Sequence, residues 1–283
     1  MREFKKTKLD EQIKETPRYI KVLKKVVARM FELNFKELDA SRIYVDINSC
    51  LSVIFREDNY NNEDNIQEMN NILNTFLNEA LINKKEVVFM FTTEPSQAHI
   101  DIYPDWCKER YSRVKILRST FLKRFLMAVK TYSDKYSSVK VVNTTKVHPA
   151  LIVYNTEKSR RKPFLILSKD LVFQTMPIER CSIYTGISYI DMSNPNRDLP
   201  DLINIPEPTE MLPYAISLIG SSREEFPGLN GYGPRKAEKY VSRHKLDIQL
   251  GINHELKEHM DKYEVLFDIP KLLACNKEEL AII

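Results

Sequence analysis

Hydrophobic positions along the chain fall into two alternating periods. Short apolar runs occur at Arg42 to Asp46 (RIYVD), Glu86 to Phe91 (EVVFMF), Val139 to Val142 (VKVV) and, as a strand and turn, Phe164 to Phe173 (FLILSKDLVF). Runs of this length, rich in Val, Ile and Phe, predict strands. Between them the period becomes helical. Residues 18–36 place Tyr19, Val22, Leu23, Val26, Val27, Met30 and Leu33 on one face. Residues 63–83 do the same with Ile66, Met69, Leu73, Phe76, Leu77 and Leu81, and residues 111–133 with Val114, Leu117, Phe121, Phe125 and Val129. Residues 182–192 (SIYTGISYIDM) alternate as a hairpin around Thr185-Gly186, and the Pro- and Asn-rich residues 194–208 read as a loop. Residues 254–283 add helices that pack back on the sheet. Strands alternating with helices predict an α/β fold, a central mostly parallel sheet with helices on both faces.

Composition narrows the picture. At 283 residues with 43% hydrophobic content, the chain can bury a proper core. No apolar run approaches the roughly 20 residues of a membrane helix, and MREFKKTKLDEQ lacks the apolar core of a secretory signal. Cys50, Cys107, Cys181 and Cys275 are widely spaced, which predicts reduced thiols in a cytoplasmic protein and neither a zinc site nor a disulfide framework. A net charge of +4 says little alone about nucleic acid. Low glycine with many Asn and Lys points to an AT-rich genome such as a phage's.

The glycines are concentrated. Four of the six (Gly220, Gly228, Gly231 and Gly233) lie within the 27 residues from Ala215 to Val241. Pro234 suits the first turn of a helix. The stretch therefore predicts a glycine turn feeding a helix that starts near Pro234. Free amides at that end attract anions, and Arg235 and Lys236 add charge. Such a device grips a nucleic-acid phosphate without reading bases; the same pattern also fits an ordinary corner with no ligand.

Ile219-Gly-Ser-Ser-Arg-Glu-Glu-Phe-Pro-Gly228 followed by Leu-Asn-Gly-Tyr-Gly-Pro-Arg-Lys-Ala237 resembles, without a gap, the helix-hairpin-helix of the 5′→3′ exonuclease and flap endonuclease family. Three more segments carry the resemblance, which spans roughly residues 42–275. Asp46-Ile-Asn-Ser is similar to the family's opening, where a metal-ligand aspartate follows a strand. Ile102-Tyr-Pro-Asp-Trp-Cys-Lys-Glu-Arg110 is similar to a segment whose basic residues approach the scissile phosphate, the places taken by Lys108 and Arg110. Asp170 stands in a shortened copy of a strand and acidic turn, with Lys169 beside it in a place where a metal would otherwise neutralise phosphate.

The resemblance implies a PIN-like α/β domain over residues 42–200, a helix-hairpin-helix subdomain over 201–283 and an added N-terminal extension over 1–41 that packs on the outside or binds a protein partner. It implies DNA as partner, duplex or branched and bound regardless of sequence, in a setting of DNA replication. The DNA-contacting residues would be Gly228, Gly231, Gly233, Arg235, Lys236, Lys108 and Arg110. The basic positions of residues 111–133 are either a solvated face or a phosphate track. The segment after Trp106 is short, so the threading arch of larger members is reduced or absent.

The family's chemistry is metal-assisted phosphodiester hydrolysis, with two ions held by a crowd of carboxylates. Carried over residue by residue, this chain keeps Asp46, Asp170 and Glu224. It has Thr92 and Thr93, Ser221 and the Val147-His148-Pro149 region where the family has acids. Asp46 also fits a plain helix cap, and His148 a cap or surface residue. Three acids suit one Mg²⁺ or Mn²⁺ at most. The expectation is a DNA-binding protein without, or with impaired, nuclease activity; a minimal one-metal nuclease and a protein-interaction scaffold are the alternatives.

Overall fold

The computed structural model describes residues 33–51, 63–109, 121–185, 189–191, 209–222, 224–278 and 280. Most of the expected N-terminal helix, Arg110, the first half of the basic helix with the short arch segment, Gly186 and the 194–208 loop lie outside the described residues.

A six-stranded sheet organises the chain, in the order β3-β2-β1-β4-β5-β6. The strands are β1 (Arg42–Asp46), β2 (Glu86–Phe91), β3 (Val139–Asn143), β4 (Phe164–Leu167), β5 (Cys181–Tyr184) and β6 (Tyr189–Asp191). The first five run parallel, and β6 returns antiparallel along β5, as the alternation of residues 182–192 predicts. Side chains of a strand point alternately to opposite faces. Ile43, Val45, Val87, Phe89, Leu165 and Leu167 enter one apolar layer, and Tyr44, Val88, Met90, Phe164 and Ile166 the other. Both faces are thus covered, which is why these strands read as near-continuous apolar runs.

Helices follow the strands in chain order. They are α1 (Ile47–Leu51), α2 (Glu63–Ile82), α3 (Gln97–Ile102), α4 (Phe121–Lys135), α5 (Pro149–Glu157) and α6 (Leu171–Gln174). After the sheet come α7 (Leu212–Ile219), α8 (Pro234–Arg243), α9 (Lys245–Leu250), α10 (Lys257–Tyr263) and α11 (Ile269–Cys275). Leu73, Phe76 and Leu77 of α2 with Phe125 and Val129 of α4 cover one face, as their helical spacing predicts. Leu151 of α5, Leu212 and Ile216 of α7, Val241 of α8 and Leu272 of α11 share one core with the other face, so the C-terminal helices do pack back on the sheet. Among the described residues, Cys107, Cys181 and Cys275 are free thiols and no helix is long and apolar enough to cross a membrane.

Several element boundaries differ from the sequence-based expectation, β3 reaching Asn143 and α4 reaching Lys135. Residues 33–36, expected as the end of a helix, are not helical: residues 35–37 form a turn in which the Glu37 amide donates to the Asn34 carbonyl at 3.1 Å. Phe35 packs edge-on against Phe76, ring centroids 5.4 Å apart. The strand and turn expected over Phe164 to Phe173 are present as a strand that stops at Leu167 and a turn in which Asp170 caps a short helix, accepting from the Val172 amide at 3.0 Å.

Candidate functional site

The carboxyl ends of β1, β2, β3 and β4 lie side by side, where open α/β sheets place their sites. Asp46 ends β1 and is buried. Its Oδ1 accepts the Ser49 amide at 3.1 Å, and its Oδ2 accepts the Ser168 hydroxyl at 2.8 Å. It is therefore a cap of α1 as well as a residue of this end. Ser168 accepts the Asp170 amide at 3.0 Å, and Ser49 accepts the Lys169 amide at 2.6 Å, so the turn after β4 is laced to the start of α1. Asp170, also buried, caps α6 through Oδ1, and its Oδ2 lies 3.5 Å from His148 Nε2.

Hydroxyl and amide side chains tie the neighbouring strand ends together. Asn48 clamps the end of β2, accepting the Thr92 amide at 2.9 Å and donating to the Thr92 carbonyl at 2.8 Å. The hydroxyls of Thr93 and Thr145 meet at 2.8 Å. His148 is the N-cap of α5, its Nδ1 accepting from the Ala150 amide at 3.1 Å. It is a cap, as its sequence position allows, but a buried one beside Asp170 and not a surface residue.

Glu224 sits elsewhere in the chain's layout, in the turn closed by the Ser221–Phe226 bridge. Its buried carboxylate accepts the Ser221 hydroxyl, and its backbone carbonyl accepts the Cys107 amide at 3.0 Å. The next residue, Glu225, accepts the Glu109 amide at 2.7 Å. This turn is thereby stitched to the segment after α3. A two-metal centre needs carboxylates whose oxygens converge on the ions. Here the oxygens of Asp46 and Asp170 serve as caps and hydrogen-bond acceptors. Among the described residues no three His, Cys, Asp or Glu side chains gather in a group able to hold a metal ion, so Asp46, Asp170 and Glu224 do not form one ligand set. Among the described residues, then, no cluster of carboxylates of the kind a two-metal centre needs is present.

One functional-looking residue has no signal in the sequence. His99 on α3 is fully buried, stacks on Trp106 with ring centroids 4.4 Å apart, and lies 5.0 Å from the His148 ring. Its Nε2 is 3.1 Å from the Leu266 carbonyl, which only accepts, so Nε2 carries the proton. Nδ1 is buried without a hydrogen-bond partner. Burial, helped by His148 and opposed by Asp170, holds the imidazole well below its ordinary range. In the unfolded chain it titrates near about 6.5. Below that pH the unfolded state takes up a proton that the folded state refuses, so stability falls as pH drops. Urea melts at pH 7.5 and pH 5.5 should show the stability deficit of His99→Gln shrinking at the acid pH; a deficit that stays constant contradicts this assignment.

The glycine stretch forms a tight corner between α7 and α8. Gly220 (φ 80°) and Gly228 (φ 67°) press backbone on backbone, a Cβ on Gly228 coming within 2.4 Å of the Gly220 amide nitrogen. The Leu229 amide donates to the Leu218 carbonyl at 2.9 Å, closing the corner. Gly231 (φ 80°) and Gly233 differ: a Cβ on either would meet nothing within 4 Å. Gly233 is the N-cap of α8 and Pro234 opens it, as predicted. Arg235 and Lys236 are exposed in its first turn, and Lys236 Nζ lies 3.9 Å from the centre of the Tyr232 ring. Gly231, Gly233, Arg235 and Lys236 are thus all exposed around the start of α8, where the Lys236 and Ala237 amides turn to the Gly233 carbonyl at 3.1 and 3.0 Å.

Lys108 is exposed, its Nζ 2.8 Å from Asp105. Lys123, Arg124 and Lys130 are exposed on α4.

No protein-family model and no curated protein sequence matches the chain. Solved structures do. The T5 5′-exonuclease with bound zinc superposes with a TM-score of 0.61 at 15% identity, over 82% of this chain and 90% of that one. A pseudo-enzyme–product complex of the bacteriophage T5 D15 flap endonuclease with DNA and metal ions superposes with a TM-score of 0.58 at 13% identity, over the same shares of 82% and 90%. At these identities the likeness shows the fold: a 5′→3′ exonuclease/flap-endonuclease-like, PIN-like architecture.

Proposed function

We propose that the protein binds DNA, duplex or branched and regardless of sequence, through a helix-hairpin-helix at α7, the glycine corner and α8, and that it does not cut by a two-metal mechanism. The α8 end carries the reading: Gly231 and Gly233 leave open space beside exposed Arg235 and Lys236. Backbone amides and cations at a helix start are suited to phosphate and indifferent to sequence. The T5 flap endonuclease of the same fold is solved with DNA, which agrees with this partner. Against cutting stand the positions where the resemblance expects acids: Asp46 and Asp170 are caps, and Thr92, Thr93 and His148 supply hydrogen-bonding groups but no carboxylate. In this reading the α/β body over 42–200 is a scaffold for the helical part over 201–283, residues 1–41 are available to a protein partner, and the protein works in the cytoplasm beside replicating DNA.

A second reading, a minimal one-metal nuclease using Mg²⁺ or Mn²⁺, draws on one contact: Ser168 binds Asp46 and Asp170 at once, so these two acids share a neighbourhood. The DNA reading is tested by fluorescence anisotropy with a branched duplex at low salt. Saturable binding that weakens steeply with salt is expected. Binding no better than that of an unrelated protein of equal charge would overturn it in favour of a protein-interaction scaffold.

A further inference from the structure

The opposite end of the sheet carries a feature that the DNA reading does not use. Ser41 precedes β1, Lys84 precedes β2, Ser137 and Ser138 precede β3, and Arg160 to Lys162 precede β4. These strand-leading segments surround an open cleft of about 790 Å³. β1 runs from Arg42 on its floor to Asp46 at the far end, about 13 Å away at about 3.3 Å per residue. The cleft is a place of its own.

Its floor is an ion-pair cluster. Arg42, buried, donates to Glu86 at 2.6 and 2.8 Å and to Glu157 at 2.8 Å. The Tyr44 hydroxyl donates to Glu157 at 2.6 Å, and Lys140 reaches Glu86 at 2.9 Å. Burial pushes the Glu86 carboxyl up, but Lys140 and Arg42 together outweigh it and hold the group below the usual range. The two carboxylates of the cleft are thus already committed to cations of the floor. Above them, Arg160 leans on Glu157 at 3.7 Å. Among the described residues Lys84, Arg161 and Lys162 form no ion pair. Five cations against two satisfied carboxylates leave the cleft strongly positive. Its lining holds no aromatic or aliphatic residue.

We propose that this cleft binds a small phosphate-bearing anion. Guanidinium forks and ammonium groups match the several oxygens of a phosphate, and the volume is that of a small-ligand site. The inference does not depend on the protein binding DNA.

The test uses the full chain in EDTA at fixed ionic strength, titrated calorimetrically with inorganic pyrophosphate. The expected result is saturable binding that weakens at least about tenfold in the double variant Arg161→Gln, Lys162→Gln. Lys84→Gly provides an independent variant, since the left-handed φ of 53° at Lys84 favours glycine and the fold is kept; it should weaken binding too. Branched-duplex affinity of the variants, read in parallel, should stay within about twofold. A 5′-phosphorylated trinucleotide and its unphosphorylated form separate two sources of the same chemistry. Preference for the phosphorylated strand over pyrophosphate makes the ligand a strand end, and the reverse makes it a free phosphate compound. Absence of saturable pyrophosphate binding up to about 1 mM, or equal affinity in parent and variants, overturns the proposal. Loss of duplex binding in the variants with pyrophosphate binding intact does so as well.

Discussion

Replacing Gly228 by alanine should cost at least about 3–5 kcal/mol, a large share of the stability of a domain this size. Two costs add. The residue sits at φ 67°, where an L side chain is strained by about 1–2 kcal/mol. The new methyl would also stand 2.4 Å from the Gly220 nitrogen, 2.6 Å from the Ile219 carbonyl carbon and 2.7 Å from the Leu218 oxygen. All three are backbone atoms of the end of α7 and cannot step aside without opening the Leu229–Leu218 hydrogen bond. Gly231 provides the contrast. Its φ is 80°, but a methyl there meets nothing within 4 Å, so Gly231→Ala should cost only the conformational part, about 1–2 kcal/mol. Urea melts measure both: the midpoint of Gly228→Ala falls far below that of Gly231→Ala with the slope unchanged. Equal costs for the two would mean that the glycine corner is not packed as described.

The second large effect concerns the ligand. Charge reversal at Arg235 and Lys236 together should reduce affinity for a branched duplex by about 100-fold or more at low salt. It should also lower the salt slope by about 2, one for each phosphate that is no longer neutralised. Both side chains are exposed, and carboxylates in the first turn of a helix suit its dipole, so the variant should fold as well as the parent. Lys236 Nζ lies 3.9 Å from the centre of the Tyr232 ring, and Tyr232 is itself packed against the core. An unchanged slope in the reversed variant would move the DNA-binding surface elsewhere, with the exposed Lys123, Arg124 and Lys130 of α4 the next place to look.

Much of this architecture is legible in the sequence. β1 and β2 begin and end where their apolar runs do, because strands buried on both faces leave no other pattern. Pro234 opens α8 because its fixed φ and missing amide suit that position and few others. The candidate site is legible only in part. Asp46 is readable as both a site residue and a cap, since either role places an acid between a strand and a helix. The pairing of Asp170 with His148, the stacking of His99 on Trp106 and the Arg42–Glu157 ion pair are not readable. Each joins segments distant in sequence, and no local period records such meetings. Glu224 is a different case: the resemblance offers it as a ligand, but its carboxylate accepts the Ser221 hydroxyl within its own turn.

The central claim is that the chain holds a sugar-phosphate strand and does not cut it with paired metal ions. A flap substrate labelled at its 5′ end, incubated with the protein and Mn²⁺ and resolved both as complex and as product, tests this most directly. The account predicts a shifted complex and an intact strand. Cleavage that requires Mn²⁺ and disappears in Asp46→Ala would contradict it.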